Sequence, residues 1–232
     1  MNHAILFDPS FSMLEVELAP GEILQTEAGS MVSRSVNVDM TTHMNAGTGA
    51  SFIEKFKSFV IAIIKKFLGG ESFFINKFTP TENKPAKVTI APVMPGSIIH
   101  KRLENTSITL QGGAYLASVG SLSVKVVFAG LKALFSGHGL FFLQISGTGD
   151  LFFNAYGGIV TKDIDGTFML DTGHLVAFDP TLSYQIAAAG NLKSTFLSGE
   201  GLVMNFTGKG RLWFQSRNVG ALVSFVNPRL PQ

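Results

Sequence analysis

Three segments of this chain follow one pattern: an apolar pair, a small residue, glycine, a polar residue, a small residue and two apolar residues. They are Phe67-Leu68-Gly69-Gly70-Glu71-Ser72-Phe73-Phe74, Leu134-Phe135-Ser136-Gly137-His138-Gly139-Leu140-Phe141 and Phe196-Leu197-Ser198-Gly199-Glu200-Gly201-Leu202-Val203, at spacings of 67 and 62 residues. A pattern that recurs at such intervals marks a chain built from tandem supersecondary units, each too small to close a core alone. Small residues leading into a strand form a second mark upstream of each: Ala28-Gly29-Ser30, Gly113-Ala114-Tyr115 and Gly173-His174-Leu175. The distance between the marks is 41 residues in the first unit and 24 and 26 in the others, so the first carries an insertion. The units fall at 1–100, 101–165 and 166–232, with a helical insertion at about 48–68.

Within the units the apolar period is two. Leu14, Val16 and Leu18 alternate with Glu15 and Glu17, and Leu122, Val124, Val126 and Phe128 alternate with Ser123 and Lys125, as half-buried strands require. Val36-Val38-Met40, Val88-Ile90 and Leu212-Phe214 repeat the period. Pro20-Gly21, Pro95-Gly96, Gly147-Thr148-Gly149 and Gly208-Lys209-Gly210 read as turns, the last two as hairpin connections. The segment Thr161–Gly166 reads as a polar β-turn, since it lacks the first and twelfth ligands of a calcium loop. Many short strands with glycine-rich turns predict an all-β fold of three tandem β-sandwich repeats, akin to double-stranded β-helices. Phe52 to Leu68 breaks the strand period. Phe52, Phe56, Phe59, Ile63 and Phe67 recur every three or four residues, with Lys55, Lys57, Lys65 and Lys66 mostly opposite. That spacing predicts an amphipathic helix inserted in the first repeat.

Several blocks carry a family resemblance: Gly69 to Thr79, Gly147 to Phe152 with Ala155-Tyr156-Gly157-Gly158, Asp171 to Phe178, Gly199 to Leu202 and Phe206 to Arg211. In this order they resemble the altered-inheritance-of-mitochondria protein 24 family of mitochondrial biogenesis proteins, in its prokaryotic branch. The resemblance implies a fold similar to that of the tryptophan RNA-binding attenuation protein, whose small β-sandwich assembles into rings. Three such units per chain would make a homotrimer a nine-unit ring. It implies no catalytic residue and no cofactor.

Composition narrows the function classes. Charged residues are 15% of the chain against about 25% in an average protein, and Phe (21) and Gly (25) are abundant, which excludes a disordered chain. A formal net charge of +2 argues against a nucleic-acid binder that neutralises many phosphates, leaving an RNA-binding ring as a fold analogy only. With no cysteine, thiolate-metal and cysteine-nucleophile chemistry are absent. The longest uncharged run in the predicted helix, Ser58 to Ile64, is far below the roughly 20 residues that span a bilayer. The N-terminus has no basic, apolar secretory leader, so the expected location is cytoplasmic, peripheral at the membrane if the helix meets lipid.

Four sets of residues compete as sites. Glu71, His138 and Glu200 hold the same place in the three repeats and would form a divalent-metal donor set if a pseudo-threefold axis brought them together; each otherwise tips a solvated hairpin. Gly70, Gly137 and Gly199 are structural turn positions. His174 is a satisfied structural histidine at a strand entrance, and His3, His43 and His100 show no metal-ligand spacing. Trp213 and Phe214, beside Arg211 and Arg217, fall on opposite faces of a strand, so they form no base-stacking platform and Trp213 packs at the surface. The face of Phe52, Phe56, Phe59, Ile63 and Phe67 docks on a subunit interface or, with its lysines, on an anionic membrane surface. The expected function is non-enzymatic: a ring-forming scaffold or binding protein, with a small-ligand or metal-binding protein as the competing reading.

Overall fold

The computed structural model describes residues 1–44, 74–128, 141–188 and 202–230. The helix expected near 48–68 and the residues Glu71, His138, Glu200, Gly70, Gly137 and Gly199 lie outside the described residues. Among the described residues fourteen strands run in chain order: β1 (Asn2–Leu6), β2 (Met13–Leu18), β3 (Leu24–Glu27), β4 (Met31–Arg34), β5 (Val38–Met44), β6 (Phe74–Pro80), β7 (Ala86–Ile90), β8 (Ile98–Gln111), β9 (Tyr115–Phe128), β10 (Phe141–Asn154), β11 (Ile159–Asp171), β12 (Leu175–Phe178), β13 (Leu182–Ala188) and β14 (Leu202–Gln215). They form two antiparallel sheets. One has four strands in the order β1-β2-β7-β4; the other has ten, in the order β11-β14-β12-β8-β10-β9-β3-β6-β5, with β13 also on β14.

The alternation in β2 does what its sequence requires. Leu14, Val16 and Leu18 are fully buried and, with Val88 and Ile90 of β7, pack on Leu24, Phe78, Leu116 and Phe152 of the larger sheet. A second cluster lies at the centre of the ten-stranded sheet, and a third under β11 to β14. Strand β10 feeds all three: Phe142 enters the third, Phe152 the first, and Leu143, Ile145, Leu151 and Phe153 the central one.

Two devices let strands of fourteen residues bend while keeping apolar faces inward. On β10 the central-cluster positions are Leu143, Ile145, Leu151 and Phe153, and Gly147 and Gly149 occupy the two places between them on the same face. Strand β14 repeats the arrangement, with Gly208 and Gly210 between Met204, Phe206 and Leu212. The Gly-x-Gly pairs are therefore strand interiors and not hairpin connections. Glycine in a strand marks a bulge or a close backbone approach as readily as a turn. The second device is Asn105. Opposite Gly147 and Thr148 the register of β8 passes from Thr106 to Glu104, leaving Asn105 outside the ladder at φ 52° with its N–H donated to Thr148 Oγ1 at 3.0 Å. One extra residue reverses strand parity, which is why Leu103 and Ile108 face the same core.

Three further expectations change. Thr161–Gly166 is the middle of β11 and not a turn. Val36 is fully exposed, and its strand begins at Val38. Trp213 is buried in the central cluster at 4% exposure, edge-on to Phe153 at 6.0 Å, because the alternation of β14 turns it to the core face opposite Leu212 and Phe214. Phe214 does fall on the other face, against Phe168.

The chain is mostly β, with one α-helix among the described residues, α1 (Val219–Val226). Asn218 caps it by accepting from the Ala221 N–H at 3.3 Å, and Pro228 follows its end. None of its residues is buried.

Candidate functional site

Two places on the ten-stranded sheet gather side chains that sequence spacing keeps apart. The first is where β1 crosses the sheet. Asp150 of β10 accepts a hydrogen bond from His100 Nε2 at 2.8 Å and another from Arg102 Nη1 at 2.6 Å, both donors on β8. The His3 ring of β1 lies 4.4 Å from that of His100, and both rest against Phe152 at 5.0 Å. Burial pushes the Asp150 pKa upward, but the His100 hydrogen bond and the Arg102 charge outweigh it and hold the carboxyl below its ordinary value. Burial and then His100 lower the His3 pKa, against an opposing pull from Asp150. Glu22 is held low despite its partial burial by the Met1 ammonium, 2.8 Å away. The arrangement pins the outer strand of the small sheet onto the large one. Among the described residues no group of three or more His, Asp or Glu could hold a metal ion.

The second place is an open groove of about 230 Å³ on one face of β8, β9, β10, β12 and β13. Its floor is aromatic. Phe142, Phe178 and Tyr184 meet edge to face at 5.5–5.6 Å, and Val127, Thr109 and Gln144 stand around them. Cross-strand pairing explains the shared face: Phe142 is opposite Val127, and Gln144 is opposite both Thr109 and Lys125. Burial raises the Tyr184 pKa, so the hydroxyl is neutral at physiological pH. A concave apolar surface with a few polar atoms at its mouth suits a hydrophobic group far better than a charged one.

His174 is satisfied as expected. Its Nδ1–H donates to the Gln215 carbonyl at 2.7 Å, while the Gln215 side chain accepts from the Tyr156 N–H at 2.8 Å and donates to the Gly173 carbonyl at 3.1 Å. Sequence reasoning missed the His3, His100 and Asp150 cluster, since pairing of β8 with β10 joins His100 to Asp150 and only the packing of one sheet on the other brings His3 to them. It also missed the groove, whose aromatic floor comes from three strands.

Comparison with known proteins settles the family. The family described as mitochondrial biogenesis AIM24 matches residues 4–217. The chain belongs to the AIM24 family. It is 32% identical over 225 residues to the uncharacterized protein M6_Spy0233 of Streptococcus pyogenes serotype M6, covering 95% of this chain and 88% of that one. The crystal structure of protein SPYM3_0169 from Streptococcus pyogenes superposes with a TM-score of 0.78 at 30% identity, over 99% of each chain. For this AIM24-family chain no helix among the described residues is long and apolar enough to cross a membrane.

Proposed function

We propose that this AIM24-family chain is a non-enzymatic scaffold or binding protein. Three tandem β-sandwich units per chain, with the fold of the tryptophan RNA-binding attenuation protein, assemble as a cytoplasmic homotrimeric ring. The observation that carries the reading is the edge of the ten-stranded sheet. Strand β11 pairs only with β14 among the described residues, and over its thirteen residues only Ile164 and Leu170 are buried. Folded proteins pair, cover or blunt so long an edge, and a head-to-tail contact between copies pairs it and closes into a ring when the rotation permits. The glycine spacing shared by β10 and β14 supports equivalent units. Native mass spectrometry tests the proposal: a mass near 75 kDa, three chains of 24.9 kDa, supports the ring, and a single-chain mass at micromolar concentration refutes it.

The same spectrum bears on a second reading, that the protein binds a small ligand, which the aromatic groove favours. A retained mass of a few hundred daltons on each chain supports it. Action at an anionic membrane surface is the remaining part of the proposal and rests on Lys55, Lys57, Lys65 and Lys66. Flotation with anionic liposomes, lost on charge reversal of these lysines, supports it; no flotation of the unaltered protein removes it.

A further inference from the structure

The loop between β1 and β2 carries two exposed phenylalanines on a backbone that is not free to withdraw them. Phe7 is 70% exposed and Phe11 74%. Phe7 has φ 58°, a left-handed conformation that a bulky side chain rarely adopts. Hydrogen bonds fix the loop in this shape. The Phe11 N–H donates to the Phe7 carbonyl at 3.3 Å and the Ser12 N–H to the Gly96 carbonyl at 3.1 Å. Ser12 Oγ donates to Asp8 Oδ1 at 2.9 Å and Ser97 Oγ to the Pro9 carbonyl at 3.2 Å. Retained strain that holds an aromatic ring in water points to a use outside the chain.

The same chain carries a receptor of matching chemistry. A cavity of about 150 Å³ lined by apolar side chains holds benzene, so the 230 Å³ groove over Phe142, Phe178 and Tyr184 has room for a phenyl ring. Charge agrees with shape. Asp8 sits between the two phenylalanines on the loop, and Lys125, opposite Gln144 of the groove, is exposed and makes no ion pair among the described residues. We propose that the groove receives the Phe7–Phe11 loop of a second copy of this chain, one phenyl ring seated on the aromatic floor and Asp8 meeting Lys125. The inference rests on the ring reading and adds to the β11 edge a second contact at the same junction. In the ring each loop enters the groove of the next copy, a head-to-tail contact repeated at every junction.

The test uses the absence of cysteine from the chain. Asp8→Cys and Lys125→Cys are made in separate chains, mixed and oxidised. A disulfide-linked pair in the mixture, absent from either variant alone, is the expected result. The double variant should close into a covalent three-chain species. Phe7→Gly with Phe11→Ser should weaken assembly by at least about tenfold, as loss of buried aromatic anchors does. Glycine suits the backbone at position 7, and the near-ultraviolet signal of Trp213 confirms the fold. A wild-type trimer that gives no mixed disulfide, and stays as tight without the phenylalanines, overturns this contact and leaves the ring standing. A wild-type monomer overturns both.

Discussion

Replacing Gly149 with alanine puts a methyl group against the backbone of β9. The new Cβ would lie 2.3 Å from the Val119 carbonyl oxygen, 3.0 Å from Leu122 Cγ and 3.3 Å from Gly120 Cα. Backbone cannot turn aside as a side-chain end can, so β9 must retreat by roughly 1 Å, enough to stretch neighbouring ladder hydrogen bonds past good geometry. Losing about two such bonds and disturbing Leu122 amounts to about 3–5 kcal/mol. Gly21→Ala is the control. Gly21 has φ +85° and nothing within 4 Å of the added carbon, so its cost is backbone strain alone, about 1–2 kcal/mol. Urea unfolding followed through Trp213, the one tryptophan, compares the two midpoints. If Gly149→Ala is no less stable than Gly21→Ala, the claim that these glycines make room for a bent sheet is wrong.

Other expectations follow from the same contacts. Asn105→Val should cost about 1–3 kcal/mol because a β-branched residue is strained at φ 52°, while Asn105→Gly should be close to neutral in thermal melts. Gln215→Ala leaves the Tyr156 N–H and the Gly173 carbonyl without their partner and should cost about 2–3 kcal/mol in urea unfolding. Stability should also depend on pH below neutrality. His3 is lowered from its ordinary value of 6.5, so the unfolded chain takes up its proton first and stability falls as pH drops below about 6.5. The depressed Asp150 adds a further loss at more acid pH, as the carboxyl of the unfolded chain protonates first. His3→Gln should remove the upper part of the slope and leave the lower, as read from melting temperature against pH.

Much of the architecture is written in local periodicity. The alternation of Leu14, Val16 and Leu18 and of Val88 and Ile90 reports a strand face directly, because a period of two has no other use. Glycine is less informative. Gly147 and Gly149 satisfy the local rule for a turn, and only the ladder to β9 shows that they clear space within a strand. Helix α1 was not foreseen because Val219 to Val226 has Ser224 as its one polar side chain, too little to reveal a helical period. The His3, His100 and Asp150 cluster depends on where β1 lands, and the groove on which faces of β8, β9, β10, β12 and β13 the sheet brings together. Such pairings are set by the whole fold, so no spacing rule finds them.

A closed ring of three chains with three units each has a shape that electron microscopy of the purified protein reads from end-on class averages. The expected image is a threefold ring of nine similar lobes around an opening. Single compact particles, or paired particles with twofold symmetry, would refute the ring.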